Sequence, residues 1–334
     1  MKRGSSFFLI LFLLTFTYVL FANTITVTDM AGREVTIPSN IERIVTTYKP
    51  ATQFVFALNA QEMLAGVDNT STREKLFTSI YPEVELLVEV GSKREGINIE
   101  TVASLNPDLV ILFPHNQAEF TASKLETLGI STIIINPESL EEIRETNRLL
   151  GKVLGLEDRA EIVDNQFENI LKLLEKSKNL PDNQKKIVYF ANSQLLDTVG
   201  KDMMQTDMIE WAGGINPAAQ SDAGFIKISP EQLIAWNPDV IVTSQTFQGD
   251  IEELYKEEKY QNVNAFKNKQ IYRFPSELEP WDYPNPSSYL GMLWLATKIH
   301  PELFSDIDFN KVADEFYYTL YGVSYIELLS KIGN

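Results

Sequence analysis

The sequence predicts an α/β protein of two similar Rossmann-like lobes with mostly parallel sheets, joined by one long rigid helix. Three observations predict it. Short buried strands alternate with helices through both halves, the pattern of parallel sheets closed by crossover helices. A segment of the first half recurs in the second. Glu100-x-Val102-x-x-Leu105-Asn106-Pro107-Asp108-Leu109-Val110-Ile111 aligns without gaps to Glu231-x-Leu233-x-x-Trp236-Asn237-Pro238-Asp239-Val240-Ile241-Val242, an offset of 131 residues, the separation of Asn106 and Asn237. Between the copies lies one long amphipathic stretch, Leu156 to Leu180.

That stretch reads LEDRAEIVDNQFENILKLLEKSKNL. Ala160, Val163, Phe167, Ile170, Leu174 and Ser177 recur at steps of three and four, so they share one face. Asp158 and Glu161 form a capping-box-like start, Lys172, Lys176 and Lys178 suit the C-terminal end of the dipole, and Pro181 stops the helix. About 22 residues at 1.5 Å each span roughly 33 Å. With a copy of the repeat on either side, the stretch is a strut between lobes. The expected divisions are a signal peptide over 1–22, an N-terminal lobe over 23–155, the linker over 156–180 and a C-terminal lobe over 181–334.

The chain of 334 residues is 44% hydrophobic and 22% charged, with a formal net charge of −17, so it is globular and not a nucleic-acid binder. Met1-Lys2-Arg3, the apolar run Phe7–Phe21 and small Ala22 form a secretory signal pattern, too short to span a bilayer comfortably. No cysteine is present, which excludes disulfides, thiolate chemistry and a lipidated cysteine. An exported, periplasmic, monomeric protein is expected.

In chain order, Asp29–Pro38 is a hairpin with Gly32 in its turn, and Arg43–Thr47 is a strand. Ala51–Leu58 begins a helix, Ala65–Val67 is a strand, and Val90–Gly96 is a polar loop. Ile99–Leu105 is a short helix and Leu109–Phe113 a buried strand. Thr121–Leu128 is helical, Ser131–Ile135 is a strand, and Glu138–Leu154 is a helix. After Pro181 the scheme restarts with strand Lys186–Phe190, helix Met203–Trp211, helix Pro230–Trp236 and strand Val240–Thr243. Gly213-Gly214 reads as a helix C-cap.

Ligands of α/β sheets bind beyond the carboxyl ends of the strands, so two lobes on a strut leave a cleft between those ends. The loops expected there carry Tyr48, Lys49, Ser92, Lys93, Arg94, His115, Asn192, Ser193, Gln194, Phe225, Lys227, Ser244, Gln245, Trp281, Asp282 and Tyr283. Cations beside aromatics suit an anionic or aromatic ligand, or a metal chelate carrying either. Only His115 and His300 are available as imidazole ligands, too few for an ordinary bare-metal site. No GxGxxG, GxxxxGK[ST] or GxSxG is present, and no carboxylate pair stands out, so no enzyme and no cofactor are expected.

Asp29-x-x-Gly32-Arg33-x-Val35 followed by Arg43-Ile44-Val45, Val90-Gly91, Asn98 to Ile111, and the Trp281–Leu290 segment resemble the periplasmic substrate-binding proteins of ABC importers for ferric siderophores, cobalamin and haem, the class with a single helical linker. The resemblance covers nearly all of residues 24–300. It implies a rigid binder that delivers its ligand to a permease dimer in the inner membrane. It also implies one acidic docking residue on each lobe: Glu119 on the first, and Asp250, Glu252 or Glu253 on the second. Arg94 and Phe225 fall where cobalamin binders carry tryptophans, and Trp281 falls on a cleft position aromatic in those binders. A ferric siderophore-type chelate is the expected ligand. Molybdate or tungstate, cobalamin and haem are the alternatives within this architecture, and an exported α/β enzyme is the alternative outside it.

Overall fold

The computed structural model describes residues 23–114 and 117–333. The expected signal peptide and His115 lie outside the described residues. The N-terminal hairpin pairs Thr24–Thr28 with Glu34–Pro38 and turns through Gly32, whose φ of +77° favours glycine. Buried Asp29 closes that turn by accepting from the Ala31 and Arg33 amides, and its other oxygen accepts from the Ile134 amide at 3.0 Å. One carboxylate thus fixes the hairpin to the first sheet.

The N-terminal lobe holds β1 (Ile44–Thr46), β2 (Leu64–Val67), β3 (Val88–Glu89), β4 (Leu109–Leu112) and β5 (Ser131–Ile134), all parallel in the order β3-β2-β1-β4-β5. The C-terminal lobe holds β6 (Lys186–Ala191), β7 (Gly214–Ile215), β8 (Val240–Thr243) and β9 (Ile271–Arg273), parallel in the order β7-β6-β8-β9. The two orders match strand for strand once β3 is set aside. β1 and β4 are almost wholly buried, as continuous apolar runs between helical layers require.

The repeat extends to atoms. Asn106 and Asn237 both take left-handed φ, +46° and +45°, at the ends of Ile99–Ser104 and Pro230–Trp236. Asp108 then accepts from the Glu42 and Arg43 amides, and Asp239 from the Ile187 amide. In each lobe the Asn-Pro-Asp aspartate clamps the entry to the central strand.

The linker helix runs Glu157–Lys178 and buries Ala160, Val163, Phe167, Ile170, Leu174 and Ser177, the face its periodicity predicts. Its start differs from expectation. Gly155, at φ +67°, ends the preceding helix Leu140–Leu154, Leu156 becomes the cap without a side-chain bond, and Asp158 falls inside the first turn. The two helices approach so closely that a Cβ on Gly151 would sit 2.4 Å from that of Ala160. Arg144 grips Asp164 with two bonds at 3.1 Å, and Arg148 adds two more to Oδ2, at 3.2 and 2.6 Å.

Toward the C-terminal lobe the linker packs on helices Met204–Trp211, Ser288–Ile299 and Phe309–Tyr321. Phe167 stacks on Tyr289 at 4.3 Å, and the Tyr289 hydroxyl donates to the Leu140 carbonyl of the other lobe. The last two helices cross back: Phe309–Tyr321 packs on Lys49–Ala57, and Tyr325–Ile332 on Lys75–Ile80. The expected C-terminal unit over 181–334 therefore straddles both lobes at its end. One hydrophobic core runs from the first lobe through the linker into the second, with a smaller cluster on the far face of each sheet. The Arg159 guanidinium sits at the crossing. It donates to the carbonyls of Ala57, Thr319 and Leu320 at 2.7–3.0 Å, satisfying the ends of two helices from opposite lobes.

Candidate functional site: the cleft between the lobes

A cleft of about 400 Å³ opens where the carboxyl ends of the two sheets face each other. The N-terminal lobe contributes Tyr48, Lys93 and Glu138; the C-terminal lobe contributes the polar loops after β6 and β8, Phe225, and the Asp282–Pro284 segment. Each element delivers its residue for a local reason. Tyr48 ends the loop after β1, immediately before a helix whose Pro50 favours the first turn. Lys93 sits in a tight hairpin between Gly91 and Gly96, both at positive φ. Phe225 begins a strand paired antiparallel with Asp197–Val199, which holds its ring at the rim, 69% exposed.

Within the cleft the Lys93 ammonium lies 5.6 Å from the Tyr48 ring centroid, and Tyr48 packs against Phe113 at 4.5 Å. Along the second wall, Thr246 bonds Ser244 at 3.0 Å and Asn192 at 3.3 Å, and Ser193 donates to Asp197. Asp282 forms part of the floor at 1% exposure. Burial raises its carboxyl to about 6 against the pull of Ser244 and of the backbone N–H groups of Asp282 and Gln245. Burial also raises Glu138, opposed by Lys93 and reinforced by Glu142. Tyr283 is raised by burial and by Asp282, against Lys49 and Gln245.

Several expected residues lie elsewhere. Trp281 belongs to the core at 1% exposure: its indole N–H donates to the Tyr317 hydroxyl at 2.9 Å, and its ring packs on Phe309 and Tyr325. A buried indole needs an apolar bed and one acceptor, and the returning C-terminal helices supply both. Arg94 is exposed and does not line the cleft. Ser92 accepts from the Glu95 amide and shapes the hairpin instead. Lys49 is paired with Glu74 at 2.8 Å, its ammonium 5.9 Å from the Tyr283 ring, so its charge is already neutralised. Gln194 is exposed at the turn before Asp197, and Lys227 lies 3.8 Å from Asp197 and lines a separate groove beside Trp236. Gln245 hydrogen-bonds Tyr283 and does not line the cleft. His300 is buried against the Gly213 carbonyl at 3.0 Å, and among the described residues no His, Cys, Asp and Glu group could hold a metal ion.

Glu138, Met203, Gln205, Thr246 and Pro284 line the cleft without having been singled out in sequence. Glu138 had a usable signal. The helix begins at Leu140 after the Ser139 cap, so Glu138 stays in the loop beyond β5, at the same carboxyl edge as the other loops.

Residues 44–278 match the periplasmic binding protein family. The chain belongs to that family. It is a binding protein and not an enzyme. The chain is 26% identical over 323 residues to the molybdate-binding protein MolA of Haemophilus influenzae, covering 90% of this chain and 91% of MolA. The MolA structure with molybdate superposes with a TM-score of 0.78 at 25% identity, covering 90% of this chain and 98% of MolA. A periplasmic solute-binding protein of Veillonella parvula superposes with a TM-score of 0.81 at 27% identity, covering 93% and 96%. The CeuE structure of Helicobacter pylori in complex with nickel and histidine shares the fold, with a TM-score of 0.78 at 21% identity over 92% of this chain and 99% of CeuE.

Proposed function

We propose that this protein captures a metal chelate of low net charge in the cleft and hands it to an ABC-importer permease. The charge inventory of the cleft carries the reading: Lys93 shares it with two carboxyls, Glu138 and Asp282, while Lys49 is spent on Glu74 and Arg94 is exposed outside it. Such a site suits a nearly neutral complex, including an uncharged ferric siderophore, and repels a multiply anionic one. The aromatic surfaces of Tyr48, Phe225 and Tyr283 fit the organic periphery of a chelate. Titration with neutral and anionic ferric chelates, followed by intrinsic fluorescence, tests it. Binding of only the anionic complexes would overturn it.

The relationship to MolA favours a second reading, a molybdate-class oxyanion held at Lys93. Isothermal titration with molybdate and tungstate separates the two. For export, residues 1–22 act as the signal.

Glu119 and Glu252 serve as the permease-docking acids. Each is the second residue of its helix, Ala118–Thr127 and Ile251–Leu254, and each is exposed. Asp250 is committed to capping the latter helix, accepting from the Glu252 amide at 2.8 Å, and Glu253 to Lys256. Reversing Glu119 and Glu252 together should weaken permease association and leave ligand affinity unchanged, since exposed charges set steering and orientation. A parallel loss of ligand affinity would contradict this assignment.

A further inference from the structure

Two buried oxygens on the cleft floor have no hydrogen-bond partner among the described residues: Asp282 Oδ1 and Gln205 Oε1. They belong to one unit. The Gln205 amide donates its Nε2 to the Asp282 backbone carbonyl at 2.9 Å, which fixes the orientation of the amide and leaves Oε1 as its free end. The Ser193 hydroxyl donates to Asp197 and the Thr246 hydroxyl to Asn192, while the Ser244 hydroxyl lies between Thr246 and the Asp282 carboxyl. The Ser244 hydroxyl and the Gln245 N–H act on the Asp282 carboxyl and still leave Oδ1 without a partner, while Lys93 lines the opposite wall. Buried acceptors are ordinarily paired, so an orphaned pair in a binding cleft marks groups a ligand must satisfy.

We propose that Asp282 and Gln205 form an acceptor pair that selects ligands carrying N–H or O–H donors, so that the cleft takes a metal chelate with a donor-bearing edge turned to the floor and an oxygen-bearing edge turned to Lys93. This rests on the reading of the cleft as the ligand site and names the chemical class of its ligand. Amines, hydroxyls and waters bound to a metal are strong donors because the metal withdraws electron density from them. A bare tetrahedral oxyanion at neutral pH brings acceptors only. It would leave both floor oxygens unpaired and add its own charge beside them, and a site built to hydrogen-bond a donor rejects an analogue lacking it.

The pair also makes capture pH-dependent. An ionised Asp282 keeps Oδ1 as an acceptor for the ligand, and a protonated one has lost acceptor capacity. Its carboxyl sits at about 6, so affinity for a donor-bearing chelate rises as the pH climbs through that value. Lys93, Glu138, Tyr48 and Tyr283 face the same cleft. Ser244 and Gln245 meet Asp282 from the loop after β8 and carry no charge. Asp207, on the helix that carries Gln205, also lies near 6, raised by burial and Glu210, so Asp207→Asn is the control for the profile.

The test uses two neutral, exchange-inert probes: tris(glycinato)cobalt(III), which carries N–H donors, and tris(acetylacetonato)cobalt(III), which carries none. Calorimetric titration of the full chain, Asp282→Asn and Gln205→Met is run between pH 5 and 7.5, with molybdate alongside. The expected result is tighter binding of the glycinato complex by the parent. Its affinity should be roughly tenfold higher at pH 7.5 than at pH 5, with that slope kept in Asp207→Asn and absent in Asp282→Asn, and either floor variant should lose about tenfold or more. Should Asp282→Asn fail to fold, Gln205→Met and the parent pH profile decide. Equal binding of the two probes, or variants that bind as the parent does, would overturn the acceptor pair and leave the chelate reading standing. Binding of molybdate with neither chelate bound would overturn both.

Discussion

Glu279 offers a quantitative check on how the lobes are held together. It is 1% exposed and bridges them. Oε2 accepts from Gln53 Nε2, on the N-terminal lobe helix Lys49–Ala57, at 2.7 Å. Oε1 accepts from the Ser287 hydroxyl and, at 3.2 Å, from the Tyr321 hydroxyl of the returning C-terminal helix. Burial raises its carboxyl from 4.5 to about 7, against the hydrogen bonds from Ser287, Tyr317 and Gln53. Between those two values the folded state binds a proton that the unfolded chain does not. The contribution of this group to stability is therefore fully present below pH 4.5 and is lost as the pH rises through 7. The difference amounts to about 3 kcal/mol. Glu279→Gln is neutral throughout, keeps an acceptor oxygen, and presents N–H donors next to Gln53 Oε1, which has no partner among the described residues. In urea unfolding across pH 5 to 9, the variant should match the parent within about 1 kcal/mol at pH 5 and exceed it by about 2–3 kcal/mol at pH 9. A pH-independent difference between the two proteins would refute titration of Glu279. A variant less stable than the parent at pH 9 would show that the ionised carboxylate is favourably held.

Three further outcomes follow from the same contacts. Arg159→Met should destabilise the fold by about 2–4 kcal/mol in urea unfolding, because the Ala57, Thr319 and Leu320 carbonyls lose a charge-assisted donor at the junction of the lobes; a change under about 0.5 kcal/mol would contradict that role. Gly151→Ala should cost about 1–3 kcal/mol through overpacking against Ala160, measured the same way. Because the linker and the two returning helices all cross between the lobes, the scattering curves of free and ligand-bound protein should differ only slightly, by a few degrees of lobe rotation as an order of magnitude; a large closure would contradict the rigid strut.

The parts of the fold legible in sequence are those set by local periodicity. The linker face was readable residue by residue because a step of three and four fixes a face irrespective of what covers it. The Asn-Pro-Asp repeat was readable because a left-handed Asn and a strand-clamping Asp are local solutions, used twice. The rule that ligands bind beyond the carboxyl ends of strands put Tyr48, Lys93, Phe225, Asp282 and Tyr283 at the cleft they line. What sequence could not supply is which side chain of a loop turns inward. Trp281 and Asp282 are neighbours, and the helices after residue 309 decide that the indole goes to the core and the carboxyl to the floor. Lys49 reads as a free cation until the fold brings Glu74, 25 residues on, within 2.8 Å. A repeat offset of 131 also pairs Glu119 with Asp250, yet the second-lobe helix starts two residues later than that offset implies, so the position equivalent to Glu119 within its helix is Glu252.

Native mass spectrometry of the mature protein purified from its own host shows what the cleft holds. The expected result is one bound metal chelate per chain, of low net charge and bearing N–H or O–H groups, which is lost when Asp282 and Gln205 are both replaced. A bound molybdate or tungstate, or a chelate that persists undiminished in that double variant, would contradict it.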